Sequence, residues 1–210
     1  MTGVTWCGKV PRRWDYGITC RSVPVTGPTQ EPLDVEYVKN SVLRVVNGDE
    51  DNEFIGRAIT AARQQFERET GRPAMAQTAQ LMLSAFPQGL IELPLWPLLS
   101  VDSFEYLDIN GDTQSLSGSP QQFILRPSGK YSGGRVLPLR GESWPSTDTQ
   151  EDAVTITYTA GYESTDDMPE IEKAGMCLVI EEMYKNRGLS MSASRVKSVL
   201  DTSRYWRRTF

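Results

Sequence analysis

The spacing of apolar residues changes period twice along this chain, and that change limits the fold more than any other feature. From Asp34 to Phe66 apolar side chains recur every three to four residues. From Met75 to Ala160 they fall in short alternating runs, and after Pro169 the helical spacing returns. A helix-period segment does not sit still as a strand, so the expected fold class is α+β. The pattern predicts a helical hairpin and a C-terminal helix, an inserted antiparallel β region, and extended N- and C-terminal arms. The chain's 210 residues suffice to bury a core.

The expected organisation has five parts. Residues 1–32 read as an irregular arm punctuated by Pro11, Pro24, Pro28 and Pro32. Residues 33–73 hold the hairpin. Its first helix runs from Asp34 as N-cap to Val46, with Val35, Val38, Val42 and Val45 or Val46 on one face and Asn47-Gly48 as stop. Its second opens on Asp49, Glu50, Asp51 and Glu53, where the helix dipole favours anions, and Asp51 or Asn52 caps it. Ile55, Ile59, Ala62 and Phe66 line its core face, and Gly71 ends it. Residues 74–162 form the β region, 163–188 a returning helix on the hairpin, and 189–210 a basic-aromatic tail.

Within the β region, five to seven strands are expected. Val101, Ser103, Glu105 and Leu107 alternate with Asp102, Phe104, Tyr106 and Asp108, and Asn110-Gly111 favours a type I′ hairpin turn. The returning helix begins after Pro169, with Glu170 and Glu172 at its start and Ile171, Ala174, Leu178 and Met183 facing inward.

Several chemistries are excluded at once. The chain has no histidine, so Ser-His-Asp and Cys-His triads, His-ligated zinc and imidazole acid-base catalysis are out. Three cysteines, at positions 7, 20 and 177, make no disulfide framework, and no metal site is expected. Cys177 reads as a small buried hydrophobe. No secretory signal or membrane span is visible, which points to synthesis in a reducing cytoplasm. Asp108-Ile109-Asn110-Gly111-Asp112 resembles a calcium-loop start, yet Gly is not sixth and Ser119 stands where a bidentate Glu belongs. Gly129 to Arg135 is Gly-rich and basic without the phosphate-loop order, so a loop between strands is expected. Carboxylate pairs for glycoside hydrolysis exist in the acidic clusters, but the helix dipole accounts for those clusters without catalysis. The chain is expected to be no enzyme and to carry no cofactor.

The net charge of -5 is unevenly spread. Residues 1–21 carry +3, residues 22–186 carry -13, and residues 187–210 carry +5. Basic ends on an acidic body suggest arms that bind something acidic. Arg204-Tyr205-Trp206-Arg207-Arg208-Thr209-Phe210 is the most specific local pattern. It suits a protein interface, where Trp, Tyr and Arg concentrate, and alternatively nucleic acid, where Arg meets phosphate and aromatics stack on bases.

The order of elements, with particular residues, resembles the head–tail connector (adaptor, head-completion) proteins of long-tailed bacteriophages. The matching stretches are Asp49 to Ile55, Glu67 to Arg72, Gln77-Thr78, Leu93-Pro94-Leu95-Trp96-Pro97-Leu98-Leu99-Ser100-Val101, Ser143-Trp144-Pro145, Val154 to Tyr162 and Tyr184-Lys185-Asn186-Arg187. They cover residues 33–188; residues 1–32 exceed the family's usual start. The resemblance implies a structural protein of the virion neck, assembled from the host cytoplasm as a ring, usually dodecameric, below the portal protein. Such a ring extends the DNA channel, lets genomic DNA pass without specific binding, and presents a surface to a neck, stopper or tail-terminator protein. No membrane is involved. Arg195, Lys197, Arg204, Tyr205, Trp206, Arg207, Arg208 and Phe210 are then expected to dock onto the portal or a neighbouring subunit. Glu163, Asp166, Asp167, Glu170 and Glu172 are the expected channel-lining carboxylates. The competing reading is a nucleic-acid-binding module acting through the basic termini.

Overall fold

The computed structural model describes residues 18–44, 50–117, 122–126, 133–148 and 150–186. The fold is mixed α+β. Two compact units share the chain: residues up to Gly27 with Ala76–Gly161 form one, and Pro28–Met75 with the residues from Tyr162 onward form the other.

The first unit is all β. Its strands are β1 (Cys20–Pro24), β2 (Gln77–Leu83), β3 (Ile91–Glu92), β4 (Leu98–Leu107), β5 (Thr113–Ser115), β6 (Phe123–Arg126), β7 (Arg135–Pro138) and β8 (Val154–Ala160). One sheet runs β1-β2-β8-β4-β5 and the other β3-β7-β6, with every pairing antiparallel. Every second residue of β2 and β8 is buried, so Leu81, Leu83, Val154, Ile156 and Tyr158 enter one core with Ile91, Phe104, Phe123 and Val136 from both sheets. Each fully buried Leu or Ile contributes about 1.5–3 kcal/mol. The intervening positions are polar apart from Met82: Gln80 Nε2 donates to Thr157 Oγ1 at 3.2 Å, and the Thr78 and Thr159 hydroxyls meet at 3.4 Å.

Three expectations for this unit change. First, part of the predicted arm is a strand. β1 pairs with β2 from Cys20↔Leu83 to Pro24↔Ala79, and only Ser22 along it is buried. A polar edge strand ending in proline carries no apolar alternation, which is why the sequence reads as irregular there. Second, the β4–β5 turn is not type I′. That turn needs positive φ at both central residues, whereas only Gly111, at +85°, is left-handed. Gly111 N–H donates to the Asp108 carbonyl at 2.9 Å, and the Asp108 carboxylate takes the Asn110 and Asp112 N–H groups at 2.8 and 3.1 Å. Third, register irregularities in β4 between Leu98 and Ser103 break its alternation, so Val101 and Phe104 both pack on the core. The two described glycines of the Gly-rich loop are explained by packing. A Cβ at Gly133 would collide with the Leu93 carbonyl, and one at Gly134 with the Leu98 side chain.

In the helical unit, α1 (Val35–Tyr37) passes directly into a π-helical turn, Val38–Leu43, ended by Arg44 at φ 53°. The first arm of the expected hairpin is therefore short and irregular, and its predicted stop at Asn47-Gly48 lies outside the described residues. Asp34 offers no side-chain cap; its carbonyl accepts the Val38 N–H at 3.0 Å. Helix α2 (Asn52–Thr70) buries Ile55, Ile59, Ala62 and Phe66 as the spacing predicts, and Gly71 closes it at φ 73°. Its exposed side carries Glu53, Arg57, Gln64 and Arg68, with Ala61 half-buried among them. The Asp51 carboxylate does not cap α2 but accepts the Tyr184 hydroxyl at 2.6 Å.

Helix α3 (Glu170–Asn186) packs on α2, and of the four residues expected to face inward Met183 packs on the core while the other three do not. Gly175, Met176, Val179 and Ile180 are buried, whereas Ile171 and Leu178 are 53% and 40% exposed and Ala174 is exposed. From Ala174 to Ile180 every residue is apolar, so periodicity cannot select a face. Tertiary anchoring selects it instead.

Candidate functional site

The acidic stretch joining the last strand to α3 is built locally. Glu163, Asp166, Asp167 and Glu170 are exposed within eight residues of chain. The Asp167 carboxylate accepts the Ser164 N–H and hydroxyl at 3.2 and 2.8 Å, which folds the turn, and Gln30 Nε2 ties down the Glu163 carbonyl at 2.7 Å. Glu170 pairs with Lys173 at 2.7 Å. Four of the predicted channel carboxylates thus form one exposed acidic turn.

Glu172 does not belong with them. It is 3% exposed and paired with Arg72, itself 1% exposed, so it cannot face an aqueous channel from this position. Arg72 also donates to the Tyr162 hydroxyl at 3.2 Å and lies 5.0 Å over the Phe66 ring. This cluster joins the end of α2 to the start of α3, and with it fixes which face of α3 turns inward. A charge taken out of water at both ends needs such partners to be tolerated. Sequence reasoning missed it, because nothing local marks a pair separated by 100 positions.

A second network runs along α2. Arg63 donates to Glu31 at 2.8 Å and to Glu67 at 3.1 Å, Thr60 donates to Glu31 at 2.9 Å, and Glu67 accepts the Ala74 N–H at 3.2 Å. Burial pushes the Glu67 carboxyl above its ordinary range, and Arg63 only partly offsets this. Here a signal existed: Arg63 and Glu67 stand at helical i, i+4 spacing. The other titrations belong to packing. Burial pushes the Tyr158 hydroxyl up to about 12 and raises the Cys177 thiol, while the Asn110 N–H leads the donors that hold the Asp108 carboxyl down.

Arg195, Lys197, Arg204, Tyr205, Trp206, Arg207, Arg208 and Phe210 lie outside the described residues, as does the Asp49 end of the first acidic cluster. Among the described residues, no group of three His, Cys, Asp or Glu side chains stands close enough to hold a metal ion, and no helix is long and apolar enough to cross a membrane. What the described surface does offer is the acidic turn and, beside it, the exposed apolar line of α3.

No family model matches the chain, and no curated protein sequence does. Solved structures do. A chain in the neck of an empty gene transfer agent particle, computed with C6 symmetry, matches with a TM-score of 0.70 at 19% identity, over 87% of this chain and 94% of that one. A chain of the native gene transfer agent virion matches at 0.68 and 21% identity over the same shares. A chain in the native particle's neck, computed with C12 symmetry, matches at 0.62 and 19% identity, again over 87% and 94%. Likeness at this identity is likeness of fold, and it runs through 87% of this chain and 94% of each of those chains.

Proposed function

We propose that this chain is a structural head–tail adaptor of a tailed phage-like virion. In this reading copies of it form a ring below the portal protein, extend the DNA channel and link the capsid to the neck or tail. The observation that carries it is the fold shared with the neck chains over 87% of this sequence. The six- and twelvefold symmetries belong to those particles, and a cyclic ring of this chain follows by analogy. The charge partition supports it: a body at -13 repels DNA phosphate, while residues 187–210, at +5, supply the docking arm. Host cytoplasm is the place of assembly and the neck the final location.

Particles made without this chain test the proposal. Electron microscopy should show filled heads and free tails that do not join, and added protein should restore joining and appear at the neck. Heads and tails that join normally without it would refute the role. A salt-dependent mobility shift on duplex DNA separates the alternative, since tight binding by the monomer favours a nucleic-acid module.

A further inference from the structure

We propose that the β4–β5 turn is a contact with a different protein on the tail side, seating Ile109 in an apolar socket rimmed by lysine or arginine. The inference deepens the adaptor reading and rests on it. Ile109 is 70% exposed, the most of any large apolar side chain among the described residues. One exposed apolar residue needs no explanation by itself; the way this one is held does. The Asp108 carboxylate accepts the Asn110 and Asp112 N–H groups at 2.8 and 3.1 Å and Gln114 Nε2 at 3.1 Å. The Asp108 carbonyl accepts the Gly111 N–H at 2.9 Å, and the Asp108 N–H donates to the Asp112 carbonyl at 3.0 Å. One aspartate thus closes the loop from both ends, and Ile109 stands on a fixed turn. Turn propensity does not select isoleucine there, since Gly, Pro, Asn, Asp and Ser lead at such positions. Core packing does not select it either, because Ile109 belongs to neither core of the described residues. An anchor already held in one position loses little freedom on binding, which is how a small contact gains strength.

Charge indicates the partner's chemistry. Asp112 is exposed in the turn, and Asp148 is exposed at its base, where the Asp148 N–H donates to the Leu107 carbonyl at 3.2 Å. Among the described residues no cation pairs with either carboxylate. Two uncompensated charges beside an apolar anchor call for a basic rim around the socket. Nucleic acid offers no such rim, and its phosphates are repelled. A second copy of the chain is a poor match, because residues 22–186 carry -13. Its basic residues 187–210 are, in the adaptor reading, engaged on the head side. They follow α3 of the helical unit, whereas the turn belongs to the β unit, so head-side and tail-side contacts fall on different units.

Reconstitution tests this with filled heads and free tails from particles made without the chain. Purified full-length variants are added, and two quantities are read: chain bound to sedimented heads, and joined particles counted by electron microscopy. Ile109→Ser and Ile109→Asp should load heads as the wild type does and lower joining about tenfold or more. Asp112→Lys with Asp148→Lys should also load heads, lower joining, and flatten its decline with added salt. Thermal melts check folding, and a variant that melts lower is replaced by Ile109→Thr or by Asp112→Asn with Asp148→Asn. Joining at the wild-type level by either set of variants overturns the proposal. Failure of the Ile109 variants to load heads also overturns it, since that places Ile109 on the head side. Sedimentation velocity on the chain alone covers the remaining case: self-association weakened by Ile109→Ser assigns the turn to a second copy. Wild-type chain that fails to restore joining overturns the adaptor reading instead.

Discussion

Arg72 and Glu172 show how far a single pair reaches. Both are buried, and both lie where one helix ends and another begins. Arg72→Ala or Glu172→Ala leaves an uncompensated buried charge and should cost about 3–5 kcal/mol in urea denaturation. Replacing both together, as Arg72→Met with Glu172→Leu, should recover most of that loss; equal damage from the double variant would argue against a charge effect. Glu67 makes a pH prediction. Its folded carboxyl titrates above the unfolded value, so the folded state holds the extra proton and stability falls as pH rises through that window. Urea midpoints measured from about pH 4 to about pH 7 should show this decline, and Glu67→Gln should flatten it. Wild type and variant with the same pH slope would exclude Glu67 as its source.

Elements differ in how openly the sequence declares them. Helix α2 is legible because Ile55, Ile59, Ala62 and Phe66 mark one face against polar neighbours. β8 is legible because alternate residues are apolar, whereas β2 reads only as a strand-like run, its alternation broken by Gln77 and Met82. The inward face of α3 is not, since from Ala174 to Ile180 it is apolar on every side and a distant arginine sets its rotation. β1 is not either, because an edge strand is specified by its partner's backbone more than by its own side chains. Removing residues 1–25 should accordingly do more than trim an arm. It strips β1 from β2 and exposes a row of unpaired N–H and C=O groups, so a lower melting temperature and increased light scattering are expected. Gly133→Ala, which forces a Cβ into the Leu93 backbone, should cost about 1–3 kcal/mol in the same assay.

For the whole molecule, the acidic turn and the basic tail make opposite predictions. Removing residues 195–210 should abolish attachment to portal-bearing heads; normal attachment would exclude the tail as the docking arm. Charge reversal of Glu163, Asp166 and Asp167 to lysine should create salt-sensitive retention of duplex DNA that the wild type lacks, and unchanged retention would remove them as channel-facing groups. Of the proposed surfaces, the carboxylate turn was visible in the sequence except for Glu172, whose burial depends on a partner far along the chain. The division of the chain carries one more consequence. The β unit is closed by Gly161, but the helical unit, begun at Pro28, stays incomplete until α3 follows. During synthesis the β unit can therefore fold first, while α2 waits for its mate.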